Sequence, residues 1–179
     1  MTPARGRSGE GMIVGLIGFA TVALFYAVFD LLAARGGLYT VNLLGMSVFR
    51  GLRDPSVLEL PVRLDAGAIV LYSLVHLALA LVIGWFVVRL VRTAERQPSR
   101  AALVTTIILA GFVITVLLVG WLSRPIRPVL PWWSIMTANL LSMVLAGWYL
   151  VRHHPGLWQL LSGGRPGGRT QAAPTATAG

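Results

Sequence analysis

The chain has 179 residues, of which 56% are hydrophobic and only 12% are charged, and its mean hydropathy is +0.76. A soluble domain carries about twice that share of charged residues, so this composition excludes a soluble globular protein. The net charge of +9 comes from arginines in short segments between apolar runs rather than on one folded face, so no nucleic-acid partner is predicted. The absence of cysteine excludes disulfides, thiolate metal sites and cysteine nucleophiles.

Four apolar segments are long enough to cross the ~30 Å hydrocarbon core of a bilayer, which requires about 20 helical residues. They are predicted as spans at 11–34, 66–88, 101–122 and 131–151. A cleaved signal peptide is the alternative for the first span, but its apolar run is too long and contains Asp30. The sequence therefore predicts an all-α polytopic membrane protein with four transmembrane helices and a transmembrane domain over 11–153.

The arginines predict an orientation in the membrane. With the first residue inside, nine arginines fall on the inner side and six on the outer side. The densest short loop, RLVRTAERQPSR, lies inside, and short loops carry the most weight in topology. We therefore predict an inner-membrane protein with cytoplasmic tails at 1–10 and 154–179, the second mostly disordered, and arginines in contact with anionic lipid headgroups.

The loop at 35–65, between the first two spans, is long enough to carry structure of its own. Within it, TVNLLGMSVFRGL (40–52) places four apolar residues close to one helical face, and Thr40 is suited to an N-cap. These apolar residues are Val41, Leu44, Val48 and Leu52. The pattern predicts a short helix at 40–52, which either lies in the outer interface or forms a re-entrant cap over the bundle.

One stretch of the sequence occurs twice, as HLALALVIGWFVVR at 76–89 and NLLSMVLAGWYLVR at 139–152. Both copies contain Gly-Trp followed four residues later by Arg, at Trp85/Arg89 and Trp148/Arg152. A parallel duplication of a two-helix unit, with a pseudo-twofold axis along the membrane normal, explains the repeat. The alternative is convergence, because Gly, Trp and Arg are each favoured at the inner end of a span.

Small residues recur at four-residue spacing on three spans, where they allow close approach of helix backbones in lipid. They are Gly11 and Gly15 in the first span, Ala80 and Gly84 in the second, and Ser134, Ala138, Ser142 and Ala146 in the fourth. These faces are predicted to pack within the monomer, and the alternative is contact with another chain.

A layer of polar residues is predicted within the membrane. Its members are Tyr26, Asp30, His76, Thr115 and Asn139, and all but Asp30 lie about 11–15 Å from the outer ends of their spans. Three interpretations stay open. In the first, the layer is a hydrogen-bonded packing layer in which neutral His76 bonds to Asn139 or Tyr26. In the second, it is a polar site open to the outside, where Asp30 and His76 relay protons or bind a small ligand. In the third, it is a haem or metal site. The last lacks a second histidine at matching depth, so no cofactor and no metal are predicted.

No Walker, HExxH, GxSxG or CxxC motif is present, so no catalytic residue is assigned and the protein is predicted not to be an enzyme. The leading hypothesis is a non-enzymatic structural or accessory subunit that packs in the bilayer with itself or with a larger membrane complex. The alternative is a small transporter or channel-like protein that uses the polar layer.

Three parts of the chain carry a resemblance: FATVALFYAVFDLL, then YTVNLLG, and finally LPWWSIMTANLL with the GWYLVRHHP that follows it. They resemble small four-span membrane proteins from GC-rich bacteria that have no assigned function. The resemblance implies a bacterial inner-membrane location and a four-helix layout. It implies no functional residues.

Overall fold

A computed structural model describes residues 9–54, 62–154 and 156 of the chain. The described residues form five α-helices and no strand: α1 (Gly9–Leu32), α2 (Tyr39–Phe49), α3 (Ala66–Arg96), α4 (Ala101–Leu122) and α5 (Trp132–His153). Two short 3₁₀ turns, Pro98–Arg100 and Arg124–Ile126, precede and follow α4. By length and composition, α1, α3, α4 and α5 can each cross a membrane. The prediction of an all-α polytopic membrane protein is therefore confirmed.

The third helix is longer than the span predicted at 66–88, because it continues to Arg96. The added residues include Arg, Ala and Glu, which favour helix, and Pro98 then stops it. Hydropathy marks only where the hydrocarbon layer ends, whereas the backbone hydrogen bonds continue into the headgroup layer. The extension places arginines on one helical face at the end of the bundle that we call the arginine end.

The short helix α2 differs from the prediction in its buried face and its cap. Leu43 and Leu44 are buried, whereas Val48, expected on the apolar face, is half exposed. Thr40 is not the N-cap, which is Leu38 without a side-chain hydrogen bond. A Cβ built on Gly45 would lie 2.5 Å from the carbonyl oxygen of Ala68, so α2 packs directly on the backbone of α3. The helix thus covers the other end of the bundle, which we call the α2 end.

The spanning helices pack in the ring order α1, α3, α4, α5. Helix α1 makes the most extensive contacts, against α3 and α5, while α4 packs less extensively against the same two helices. Two apolar clusters hold the ends. The cluster at the α2 end comprises Leu43, Leu44, Ile126, Leu130 and Ile135, and the cluster at the arginine end comprises Val14, Val88, Val91 and Leu150.

In the two copies of the repeated Gly-Trp stretch, the Trp and Arg have similar surroundings, whereas the Gly does not. The Arg89 guanidinium lies 5.6 Å from the centre of the Trp85 ring, and Arg152 lies 4.5 Å from that of Trp148. Both copies thus form a cation–π pair, which holds an arginine beside an indole at the membrane edge. Gly84 is buried against α1, whereas a Cβ on Gly147 would meet nothing within 4 Å. The duplication stays a prediction.

Asp65 fixes the start of α3 and ties it to the end of α2. Its carboxylate accepts hydrogen bonds from the Arg50 guanidinium at 2.8 Å and from the backbone N–H of Ala68 at 2.8 Å. The Arg50 hydrogen bond, followed by the Ala68 bond, lowers the pKa of Asp65 from its ordinary 3.8 to about 2. The carboxylate is therefore ionised, and both hydrogen bonds are intact, at neutral pH.

Replacing Asp65 with asparagine is expected to remove a stabilisation that depends on pH. Because the folded-state pKa of Asp65 is depressed, its contribution is fully present above pH 4 and is lost as the pH falls towards 2. Unfolding temperatures of the wild type and of Asp65→Asn, measured in detergent from pH 7 to pH 2, should differ at neutral pH and converge at the acid end. A difference that is constant across this range would contradict the assignment.

Candidate functional site

Asp30 lies at the α2 end of α1 and is fully buried. Its two carboxylate oxygens accept hydrogen bonds from the backbone N–H of Thr40 at 2.7 Å and from the Thr40 hydroxyl at 2.6 Å. A carboxylate at a helix N-terminus satisfies an otherwise unpaired N–H group and favours the positive end of the helix dipole. Asp30 therefore supplies, from the preceding helix, the cap that α2 lacks in its own sequence.

The other predicted members of the polar layer do not form one connected group. The Tyr26 hydroxyl lies 3.4 Å from the Ser134 hydroxyl on α5. Thr115 donates to the Gly111 carbonyl oxygen at 2.8 Å, and the Asn139 amide donates to the carbonyl oxygen four residues earlier, also at 2.8 Å. The predicted hydrogen bonds from His76 to Asn139 or Tyr26 are therefore wrong, because these side chains are satisfied by nearer groups.

His76 instead lies in an aromatic setting. Its ring centroid is 5.1 Å from that of Phe19 on α1 and 6.0 Å from that of Tyr72, one turn earlier on α3. Within the described ranges, no residue forms a hydrogen bond with His76. Every buried side-chain nitrogen or oxygen in these ranges has a hydrogen-bond partner. The imidazole nitrogens are therefore accessible rather than sealed in the core.

A cavity of about 300 Å³, which we call the α2 cavity, accounts for this access. It lies between α1, α2 and α3, and its walls are mostly apolar. Its polar lining includes Tyr26, Asp30, Tyr72, Ser73 and His76. The structure thus brings Tyr26, Asp30 and His76 to one cavity, while Thr115 and Asn139 are not among its lining residues.

The predicted small-residue faces meet where α1 crosses α3. A Cβ on Gly84 would lie 2.5 Å from the Gly11 carbonyl oxygen, and a Cβ on Gly15 would lie 2.7 Å from the Ala80 carbonyl oxygen. The two backbones are therefore in direct contact. On α5, Ser134 and Ala138 are fully buried, Ser142 faces α1, and Ala146 packs against the cluster at the arginine end.

A charged cluster that was not predicted from the sequence lies at the arginine end. His154 contacts a Glu10 carboxylate oxygen through Nε2 at 2.5 Å and a Glu95 carboxylate oxygen through Nδ1 at 2.8 Å. Arg92 donates to the other oxygen of Glu10 at 2.7 Å. The cluster joins the start of α1, the end of α3 and the residue after α5. One signal was available in the sequence: Glu10 and Glu95 are the acidic residues nearest the predicted inner surface.

Comparisons of the chain with models of protein families, with curated proteins and with solved structures find no match. Among the residues that the structure describes, no group of three or more His, Asp or Glu side chains is arranged to hold a metal ion. The residues and their contacts are therefore the basis on which a function is proposed.

Proposed function

We propose that the protein is a non-enzymatic structural or accessory subunit of a membrane-protein complex. In this role it associates through α4 with another membrane protein or with a second copy of itself. The observation that carries the proposal is the weak packing of α4 in the monomer. It contacts α3 and α5 less extensively than α1 does, and its buried residues are Val104, Val116 and Gly120.

The middle of α4 supports a helix–helix contact. Gly111 is exposed there, and a Cβ built on it would meet nothing within 4 Å. A glycine inside a helix costs roughly 1 kcal/mol relative to alanine. Small residues on membrane helices are typical of positions where a second backbone approaches closely. An exposed glycine within this apolar helix is thus suited to close contact with a partner helix.

The polar side chains within the spans also support a structural role. Four of the five residues in the predicted layer form hydrogen bonds to groups of the same chain: Tyr26, Asp30, Thr115 and Asn139. A transporter or channel needs polar groups that face a continuous wet path. Thr115 and Asn139 bond within their own helices, whereas Tyr26 and Asp30 join α1 to α5 and α2, which favours the structural role.

The proposal includes a location in a bacterial inner membrane with both ends of the chain in the cytoplasm. The excess of arginines on the predicted inner side supports this orientation. The two Trp–Arg pairs support it as well, since both lie at the arginine end of the bundle.

The test is co-purification of a tagged copy in mild detergent, with native mass as the readout. We expect a stoichiometric complex for the wild type and its loss in Gly111→Leu, because the larger side chain blocks close approach to α4. Gly147→Leu is the matched control, since a Cβ there also meets nothing within 4 Å but lies on α5. A wild type that remains a monomer, or equal loss in both variants, would contradict the proposal.

A further inference from the structure

A second cavity lies at the arginine end, and we propose that it binds the phosphate headgroup of an anionic phospholipid. Its volume is about 390 Å³, and its wall includes Trp85, Arg89, Arg92, Arg96 and Gly11. We call it the arginine cavity. It lies against the C-terminal part of α3 and the first turn of α1, and it shares no lining residue with the α2 cavity.

The three arginines line one cavity because of their spacing. Positions 89, 92 and 96 are three and four residues apart, so they share one face of α3. They do so only because the helix continues to Arg96 instead of ending with the apolar segment. Planar guanidinium groups bind phosphate oxygens through paired N–H groups, and a converging set of them is suited to a phosphodiester.

Within the described residues, two of the three arginines at the arginine cavity lack an ion-pair partner. Arg92 is bound to Glu10, and Glu10 and Glu95 are both in contact with His154. In the described part of the chain, no carboxylate forms an ion pair with Arg89 or Arg96, and both of these residues are exposed. Arg89 and Arg96 therefore bring two positive charges to the cavity that no described carboxylate pairs with.

Along this face of α3, apolar side chains are followed by arginines. A phospholipid has the same order, with its apolar chains followed by its charged headgroup. Val82 and Trp85 precede Arg89 on the face and are 64% and 53% exposed. From Arg89 to Arg96 the helix rises about 10 Å, which is enough to cross one headgroup layer of roughly 5–8 Å. A lipid chain therefore fits along Val82, with the glycerol region near Trp85 and the phosphate among the arginines.

The equivalent face of α5 provides a comparison within the same molecule. It carries the corresponding Trp148–Arg152 pair at the same end of the bundle. However, α5 ends at His153, so no further arginine follows on that face within the helix. A Trp–Arg pair is thus present on both helices, and on α3 two further arginines follow it on the same face.

The experiment measures binding of single lipids to the delipidated full-length protein by native mass spectrometry. The probes are dioleoyl phosphatidylglycerol, dioleoyl phosphatidylcholine and soluble glycerol 1-phosphate. We expect one tightly bound phosphatidylglycerol. Binding should weaken by roughly 30-fold in Arg89→Gln/Arg96→Gln, from about 1 kcal/mol per arginine. The matched control Arg152→Gln removes one arginine beside an indole at the same end, and its affinity should stay that of the wild type.

Three outcomes would overturn the proposal. The first is unchanged affinity for phosphatidylglycerol in the double variant, and the second is an equal loss in Arg152→Gln, which would indicate diffuse attraction to the arginine end. The third is equal affinity for glycerol phosphate and phosphatidylglycerol, which would assign the cavity to a soluble phosphate instead of a lipid. Unfolding temperatures of the variants provide the check on folding, and exposed side chains at positions 89 and 96 should leave them unchanged.

Discussion

Replacing Gly84 with alanine is expected to push α1 away from α3 and to lower the unfolding temperature in detergent by roughly 4–12 °C, for a loss of about 2–3 kcal/mol. The added methyl group would lie 2.5 Å from the Gly11 carbonyl oxygen and 2.7 Å from the Cα of Gly15. Both neighbours are backbone atoms of a helix, which cannot rotate away as a side chain can. The contact is therefore relieved only by moving the two helices apart.

The matched control is Gly147→Ala, which makes the same change at the equivalent position of the repeat. Nothing lies within 4 Å of a Cβ there. The higher helix propensity of alanine should therefore leave stability unchanged or raise it by up to about 1 kcal/mol. Both variants are measured by thermal unfolding in the same detergent. If Gly84→Ala is as stable as Gly147→Ala, then α1 and α3 do not meet through their backbones.

Replacing Asp30 with alanine is expected to release α2 from the bundle and to lower the free energy of unfolding by about 3 kcal/mol. The change removes the acceptor of two hydrogen bonds, at 2.7 and 2.6 Å, and leaves the N–H and hydroxyl of Thr40 buried without a partner. Hydrogen exchange of the amides of α2 gives the most direct measurement. It should speed up at Thr40 and the following turn while exchange in α5 stays slow.

The matched control for Asp30 is a double-mutant cycle with Thr40→Val. That variant keeps the backbone N–H bond and loses only the hydroxyl bond, so its effect should be smaller. Adding Thr40→Val to Asp30→Ala should then cost little more, because the bond is already absent. If Asp30 serves as a proton relay or ligand group instead, Asp30→Ala leaves amide exchange in α2 unchanged.

Hydropathy was sufficient to predict the fold class, and spacing was sufficient to predict small residues at helix contacts, but not which helices meet. A run of about 20 apolar residues has few alternatives in a bilayer, where each backbone polar group needs an internal partner. Likewise, Gly11, Gly15, Ala80 and Gly84 could be recognised as packing residues because only small side chains permit two backbones to touch.

The polar layer shows where such reasoning stops. Depth along the membrane normal follows from helix rise, but it does not give the direction in which a residue faces around its helix. Thr115 and Asn139 were placed at the depth of His76, yet each bonds to its own helix backbone. The partner of Asp30 was missed for a related reason. Thr40 was assigned to cap α2 itself, although a buried carboxylate was available only 10 residues earlier.

The charged cluster at the arginine end also bears on the order in which the protein is assembled during synthesis. Asp30 meets Thr40 as soon as the next 10 residues follow it, whereas Glu10 meets Arg92 after 82 residues and His154 after 144. The hydrogen bonds between Asp30 and Thr40 are thus local and early, whereas those at the other end require first α3 and then the last helix. Contacts between residues far apart in sequence form late because closing the intervening chain costs entropy. Insertion of α5 is therefore the step that closes the ring, and until then the Glu10 oxygen that contacts His154 has to remain hydrated at the membrane edge.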